Sequence, residues 1–261
     1  MAIHAGRVDD ERARAPAFGM NARCGALALV AASAVSIAAD GPAIEGAAFS
    51  RAQPGGELPA GWQPLTFPGV AKRTDYRLVD DGGTTVLRAD ARGGGSGLMH
   101  RGETDPRSHP ILAWRWKIAR VVEGSDATQK YGDDYAARVY VMFKHEPARV
   151  SALDRSKYAL MRLFYGEHPP HAGLVYVWDN RLPPGTVLAS PYTDRLRMIV
   201  VRSGNAAAGR WLSEERNVLD DYRRAFGEEP PAIAGVAVMT DTDDTGESVT
   251  AWFGDILHRA Q

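Results

Sequence analysis

The sequence predicts an all-β protein, built as an antiparallel two-sheet β-sandwich with two short helices. Hydrophobic and polar residues alternate in several segments, which is typical of strands with one buried face. About ten such segments lie between Trp62 and Leu257, and glycine-containing turns follow several of them. Strands that succeed one another in this way favour a sandwich over a βαβ fold.

The clearest alternation occurs in the segment WRWKI, which places Trp114, Trp116 and Ile118 on one face of a strand and basic residues on the other. Similar patterns occur in RVYVMFK (138–144), LVYVWD (174–179) and RLRMIVVR (195–202). Each pattern predicts a half-buried strand.

Glycines predict two turns. In DYRLVDDGGTTVLRAD, Gly82 and Gly83 supply a hairpin turn between two strands. The run GGGSG at 93–97 lacks the Lys of a phosphate-binding loop and the second glycine of a nucleophile elbow. We therefore expect a tight turn between Asp90 and Leu98.

Two segments have helical spacing. The first is SALDRSKYALMRLFYG, residues 151–166, in which Ser151 and Asp154 form a capping-box pattern. The second is SEERNVLDDYRRAFGEEPP, residues 213–231, in which Gly227 follows the last apolar position and two prolines block continuation.

The N-terminal part resembles an export signal. From Met20, one arginine precedes an apolar run (Gly25 to Ala38) and then small residues, which is the pattern of a secretory signal peptide. This run is too short to span a membrane. We expect residues 1–38 to be a leader with its true start at Met20, and the mature chain to be periplasmic or secreted, with no transmembrane span.

Residues 39–61 are rich in Gly, Ala and Pro, and predict a flexible arm. Residues 62–261 then form a single sandwich domain. The net charge of −1 and the lack of a basic segment argue against nucleic-acid binding. The one cysteine, Cys24, lies in the leader. The mature chain therefore has no cysteine nucleophile, disulfide or thiolate zinc site.

Three acidic clusters are candidates for chemistry. The first two are Asp133 and Asp134 just before a strand that carries Arg138, and Arg216 with Asp220 and Asp221 in the second helical segment. Arg216 and Asp220 are four residues apart, so on a helix they could form a pair. The third is DTDDTGE, residues 241–247, followed later by Asp255.

The third cluster begins like an EF-hand loop but has Trp252 where that loop needs a bidentate glutamate. Calcium could still bind oxygen ligands from Asp241, Asp243 and Asp244. The other two interpretations are a solvated turn that ends at Gly246, and direct ligand binding or catalysis. Three such close carboxylates repel one another unless a cation, an arginine or solvent neutralises them.

Tryptophans give a second hint, because sugar rings stack on exposed aromatic faces. Trp178, at a strand end, is the first candidate for exposure and Trp211 the second. Packing in the core is the alternative for both.

Six segments in order carry a family resemblance: LAWRWKI, GDDYAARVYVMF, LVYVWDN, SPYTDRLRMIVVRSG, WLSEERNVLDDYRRAFGEEPP and VAVMTDTDDTGESVTAWFGDI. Together they resemble the bacterial exported family called domain of unknown function 3047. The resemblance implies one domain, export to the envelope and a jelly-roll sandwich of the galactose-binding-like kind. A shorter one, in AWFGDIL, is to carbohydrate-binding modules in which a late aspartate holds structural calcium, and this implies a similar role for Asp255.

These patterns support three hypotheses. The first is a non-catalytic module that binds a glycan or another polar envelope component, with ligand contacts from Asp133, Asp134, Arg138, Trp178, Arg216 and Asp220 and calcium at Asp241, Asp243, Asp244 and Asp255. The second is a glycan hydrolase that uses two carboxylates, such as Asp134 and Asp241. The third is an envelope assembly factor. No residue is assigned a catalytic role, and the oligomeric state is open.

Overall fold

The computed structural model describes residues 47–145 and 172–261, all within one compact unit that spans residues 39–261. The predicted two-sheet β-sandwich is confirmed. The first predicted helix (151–166) and the leader lie outside the described residues. So does the segment HPPH (168–171), for which the prolines favour a surface loop over a metal site at the two histidines. The boundaries of leader, arm and domain stay predictions.

Twelve strands and one α-helix form the described part of the chain. In chain order they are β1 (Trp62–Leu65), β2 (Asp75–Asp80), β3 (Thr85–Arg92), β4 (Gly95–Thr104), β5 (Ile111–Ile118), β6 (Arg138–Phe143), β7 (Gly173–Asp179), β8 (Val187–Ser190), β9 (Thr193–Ser203), β10 (Leu212–Asn217), α1 (Val218–Phe226), β11 (Ile233–Asp241) and β12 (Ser248–Arg259). Two 3-10 turns, Phe49–Arg51 and Lys130–Gly132, complete the described elements.

The strands form a seven-stranded sheet in the order β1-β4-β11-β6-β7-β9-β8 and a five-stranded sheet in the order β10-β5-β12-β3-β2. All pairs are antiparallel except β7 with β9. After β7 the chain passes over one strand position to β8 and then turns back, so β9 fills the gap parallel to β7.

The main core lies between the two sheets. On β5, the odd-even pattern is fully expressed: Leu112, Trp114, Trp116 and Ile118 are buried, while the residues between them are partly exposed. Stacking of Trp114 on Tyr176 of β7, with ring centroids 5.1 Å apart, joins the two sheets. The predicted strand face is therefore the face that packs against the other sheet.

Both predicted turns occur, with different roles. Gly82 and Gly83 have φ of 69° and 84°, and they close the β2–β3 hairpin. Backbone with positive φ at both positions matches the turn that fits the twist of paired strands. Gly93, with φ of 57°, instead begins the connection by which β3 of the five-stranded sheet passes to β4 of the seven-stranded sheet.

The second predicted helix starts later than the sequence indicated. Residues up to Asn217 pair with β5 as strand β10, and α1 begins at Val218. The Asn217 side chain accepts a hydrogen bond from the Asp220 backbone N–H and caps the helix. As predicted, Gly227 ends the helix in a left-handed conformation (φ 73°). In the described part of the chain, no helix is long and apolar enough to cross a membrane.

Part of the predicted arm (39–61), which the sequence left open as a tether or a loosely docked segment, contacts the sandwich. Ala47 and Phe49 are fully buried, and the Phe49 ring stacks on Trp62 at 4.9 Å. The Asp255 carboxylate on β12 accepts hydrogen bonds from the Ser50 N–H (2.8 Å) and Oγ (2.5 Å). Composition suggested flexibility here, but one aromatic side chain anchors this segment.

The outer face of the seven-stranded sheet carries a second apolar cluster. It includes Tyr140 and Met142 of β6, Val175 of β7, Met198 of β9 and Met239 of β11. This cluster explains why every residue of β6 is buried, where the alternation predicted a strand with one exposed face. The candidate site lies beside this second apolar cluster, on the outer face of the seven-stranded sheet.

Candidate functional site

A cavity of about 380 Å³ opens on the outer face of the seven-stranded sheet. Its floor is apolar and its wall is acidic. The apolar lining comes from Leu65, Phe67, Pro68, Val70, Tyr140, Val175, Leu196, Met198 and Met239, and the polar lining from Lys130, Asp133, Arg138, Ser190, Tyr192, Thr193, Asp241, Asp243 and Asp244. The volume lies in the range of ligand-binding pockets.

Arg138, at the start of β6, holds the acidic wall together. Its Nη1 donates to Asp133 Oδ2 at 3.1 Å and its Nη2 to the Asp133 carbonyl at 2.7 Å. Its Nε and Nη2 also donate to the two carboxylate oxygens of Asp241, at the end of β11. Because β6 and β11 are antiparallel neighbours, the start of one strand meets the end of the other, and these groups become an ion pair network buried from solvent.

Asp134 fastens the acidic loop to the strand entry. Its carboxylate accepts hydrogen bonds from the backbone N–H groups of Asp244 (3.4 Å) and Thr245 (2.7 Å), and the side chain is fully buried. Asp241 Oδ1 also accepts the Tyr135 N–H at 3.1 Å. Gly95 lies directly against this loop, where a side chain would collide with the Asp243 carboxylate. The acids at 134 and 241 thus define the shape of the wall.

Asp243 and Asp244, in contrast, are exposed at the cavity. Loss of solvent around the carboxyl, together with the charge of Asp134, raises the pKa of Asp243. The same partial burial, with the charges of Asp134, Asp243 and Asp133, raises the pKa of Asp244 to about 6. Burial also raises the pKa of Asp133, although Arg138 opposes it. The wall therefore carries more negative charge than Arg138 neutralises.

The first and third acidic clusters of the sequence thus form one site. Carboxylate oxygens of Asp134, Asp241 and Asp243 lie within 4.8 Å of one another, which is close enough for a shared cation. Oxygen ligands suit calcium or magnesium. However, Asp134 is already engaged by backbone N–H groups and Asp241 by a guanidinium, so these residues fit a cation only in part.

The other predicted site residues lie elsewhere. Arg216 is on β10 and pairs with Asp221 (2.6 Å), whose carboxylate also accepts the Tyr176 hydroxyl at 2.9 Å. The predicted pairing of Arg216 with Asp220 is wrong, because Arg216 is in a strand and not in the helix. Asp220 is exposed at the start of α1. Asp255 lies on β12 and binds Ser50, away from the acidic loop.

For Trp178 the core-packing alternative is confirmed, and the ligand contact predicted for it is wrong. Its side chain is 1% exposed, and its indole N–H donates to the Gly204 carbonyl at 3.0 Å. Trp178 faces the inter-sheet core, where its ring is 5.9 Å from that of Trp116. Trp211 is partly exposed, but its ring is covered by the Arg115 guanidinium at 4.7 Å on the other sheet.

Sequence reasoning missed the aromatic residue at the rim, Tyr192. It lies in the turn between β8 and β9, is 57% exposed and lines the cavity. Its hydroxyl donates to the Lys130 carbonyl at 3.0 Å. A tyrosine in the turn segment SPYTD was the available signal, since a turn that exposes a large aromatic residue is unusual.

Solved structures with similar architecture share little sequence with this chain. One is the family 30 carbohydrate-binding module of a cellulosomal cellulase of Clostridium thermocellum (13% identity, 75% of this chain and 86% of that chain covered, TM-score 0.35). Others are endoglucanase 3 of family GH12 from Trichoderma harzianum (8%, 77% and 91%, 0.40) and a cellulase derived from the Rhodothermus marinus Cel12A (12%, 77% and 97%, 0.39).

No curated protein sequence matches the chain. The family model described as "Protein of unknown function (DUF3047)" matches residues 60–257. That match covers both sheets and every residue of the acidic wall, and the chain belongs to this family.

Proposed function

We propose that the protein is a binding module and that its cavity on the seven-stranded sheet takes a glycan. One observation carries this proposal: an apolar floor, an exposed aromatic ring and several carboxylates meet in one open cavity of about 380 Å³. A sugar ring has the matching surfaces, because its C–H face is apolar and its hydroxyl groups are hydrogen-bond donors.

Tyr192 and the exposed acids supply complementary contacts. The Tyr192 ring is held by its hydroxyl bond to the backbone, so it can present a face without a large loss of side-chain freedom on binding. Asp243 and Asp244, which line the same cavity, accept hydrogen bonds from ligand hydroxyl groups. Together they fix a ring between an apolar surface and a polar one.

Calorimetry with a panel of neutral and charged oligosaccharides tests this proposal. Tyr192→Ala should weaken binding roughly tenfold, about 1.4 kcal/mol. Tyr131→Ala is the matched control, because Tyr131 is 72% exposed yet does not line the cavity. Equal effects of the two substitutions, or no binding to any glycan, would contradict the proposal.

A glycan hydrolase is the second candidate, and the raised pKa of Asp244 favours it. A carboxylic acid whose pKa is raised towards neutral pH can act as a general acid, and a second carboxylate is needed across the scissile bond. Asp134 and Asp241 come together as that hypothesis required, but both are buried and engaged in other bonds. Product release from the oligosaccharides that bind, abolished in Asp244→Asn, would support hydrolysis over binding alone.

Calcium is the candidate cation for Asp134, Asp241 and Asp243. A bound ion would offset their mutual repulsion, and binding to the native state alone raises stability. The measurement is the melting temperature of the wild-type protein and of Asp243→Asn with calcium and with EDTA. A melting temperature that rises with calcium in the wild type but not in Asp243→Asn supports the site. If calcium changes neither melting temperature, calcium is removed from the proposal.

We also propose that the protein acts in the periplasm or outside the cell, since the leader pattern from Met20 supports export. Fractionation of cells, with sequencing of the mature N-terminus, tests this location. An assembly role with another envelope protein remains the third candidate. Copurification from envelope extract that survives Tyr192→Ala would favour it over glycan binding.

A further inference from the structure

The acidic wall of the cavity offers hydrogen-bond acceptors, whereas the donors of the lining, on Lys130, Ser190 and Thr193, lie outside this wall. Four aspartates line the cavity, Asp133, Asp241, Asp243 and Asp244, and Asp134 lies directly behind them. Carboxylates accept hydrogen bonds when ionised, so a ligand in this place must supply the donors.

The two basic groups at the cavity do not reverse this balance. Every nitrogen of the Arg138 guanidinium donates to Asp133 or Asp241, so it turns no free edge to a ligand. Lys130 is exposed at the rim, where its Nζ lies over the Tyr192 ring, 5.6 Å from the centroid. Five carboxylates against these two cations leave the cavity negative.

One buried acceptor is left without a hydrogen bond. Asp133 Oδ1 has no partner among the described residues, although the Asp133 side chain is only 8% exposed and lines the cavity. A buried polar atom without a partner costs about 1–3 kcal/mol, and more when the group is charged. The oxygen itself is covered from solvent, but Asp133 lines the cavity, so the charge of a cationic group on the ligand would offset part of this cost at short range.

Resting on the proposed function, we infer that the glycan carries a free, protonated amino group that binds the exposed carboxylates of Asp243 and Asp244, with the Asp133 carboxyl beside them in the cavity lining. An ammonium group has three donors, no acceptor and a positive charge, which is the complement of this wall. The apolar floor and Tyr192 take the ring that bears the amine. The ligand class is therefore an amino sugar that is not N-acetylated.

A divalent ion fits the same wall less well. It needs several oxygens free at once, yet the Asp134 oxygens hold two backbone N–H groups and the Asp241 oxygens face a guanidinium. An ammonium group needs only two or three acceptors, and the exposed carboxylates of Asp243 and Asp244 supply them.

The test compares two oligosaccharides of equal length, a glucosamine oligomer and its fully N-acetylated counterpart, by calorimetry at low salt in EDTA. We expect one binding site and at least about tenfold tighter binding of the free amine. Added salt should reduce the preference, since screening weakens an exposed ionic contact.

Variants identify the groups responsible. Asp244→Asn should weaken glucosamine binding about tenfold and change binding of the acetylated oligomer about twofold or less. Asp220→Asn is the matched control, because Asp220 is equally an exposed aspartate but does not line the cavity. Tyr192→Ala should weaken both oligomers, since the ring contact does not depend on the amine.

Each result has one meaning. Equal affinity for the two oligomers overturns the amine inference and leaves glycan binding in place, whereas no binding of either overturns both. If the tighter binding of the glucosamine oligomer is unchanged in Asp244→Asn and also in Tyr192→Ala, it reflects adsorption of a polycation, and this overturns the inference. So does a preference that appears only when calcium replaces EDTA.

Discussion

Asp90 and Asp244 lie on the two outer faces of the sandwich and have opposite electrostatic surroundings. Burial alone would raise the pKa of Asp90, but hydrogen bonds from Arg88, Thr250 and Arg77 lower it to about 2. The pKa of Asp244 is raised to about 6, because partial burial and three neighbouring aspartates outweigh Arg138. An aspartate therefore has a structural role on one face, whereas on the other face its negative charge is not neutralised.

The opposite pKa shifts distinguish acids that stabilise the fold from acids that are available to bind a ligand. The carboxylate of Asp90 on β3 accepts hydrogen bonds from Arg77 of β2 and Thr250 of β12. Both of its oxygens are therefore used within the fold. The acidic wall keeps Asp133 Oδ1 without a donor and leaves two carboxylates exposed at a cavity. Groups held in an unfavourable charge state beside a cavity mark candidate sites.

The largest expected effect concerns Arg138, which lies on the structural side of this division although it touches the cavity. Arg138→Met leaves the buried carboxylates of Asp133 and Asp241 without their cation, so we expect a loss of about 3–5 kcal/mol in the free energy of unfolding. Urea denaturation measures it. Lys144→Met is the control, because the Lys144–Glu103 pair is exposed and contributes about 0–1 kcal/mol. A similar small loss for both would show that other groups neutralise the wall.

A smaller loss is expected for Asp90→Asn. Removal of charge-assisted bonds to Arg77 and Arg88 should cost about 1.5–3 kcal/mol at pH 7. Because the native pKa is below the usual Asp value, this contribution is complete above about pH 4 and disappears as the pH falls towards 2. Denaturation of wild type and variant at several pH values measures the difference. A difference that stays constant down to pH 2 would contradict the assigned pKa.

Asp244→Asn should have the opposite sign. At pH 7 the charged carboxylate is repelled by its neighbours, so its removal should leave stability unchanged or raise it by a few tenths of a kcal/mol. Between about pH 4 and pH 6 the native carboxyl holds a proton that the unfolded one has lost, so the wild type gains on the variant as the pH falls through 6. The same denaturation series tests this. Destabilisation at pH 7, as for Asp90→Asn, would place Asp244 among the structural acids.

The sequence predicted most of the fold, because its signals are local. Alternation identified β5, the glycine pair identified the β2–β3 turn and Gly227 identified the helix end. Asp134 and Asp241, the two carboxylates of the hydrolase hypothesis, lie close together because they enter and leave adjacent antiparallel strands. Such a meeting follows from strand order once two strands are neighbours.

The rest depended on contacts that local patterns do not contain. The polar residues after Trp178 made it a candidate for exposure. However, β7 is an inner strand of its sheet, and the face of β7 that carries Trp178 packs on β5. Arg216 reads as helical because its segment is charged and helix-favouring, but pairing with β5 makes it a strand residue. The cavity lies beside the second apolar cluster, on an outer face of the sandwich. Alternation of apolar and polar residues predicts that this face is exposed, so the pattern does not predict a cavity there.

The smallest expected effect concerns Asp255, the predicted calcium ligand that the structure places beside Ser50. Asp255→Ala removes two hydrogen bonds near the surface, so we expect a loss of about 0.5–1.5 kcal/mol that is equal in calcium and in EDTA. Ser50→Ala, which keeps the backbone N–H bond, should cost less. The melting temperatures of both variants under the two conditions measure this. A loss for Asp255→Ala that calcium enlarges would instead make β12 part of a cation site and weaken the contrast between the two faces.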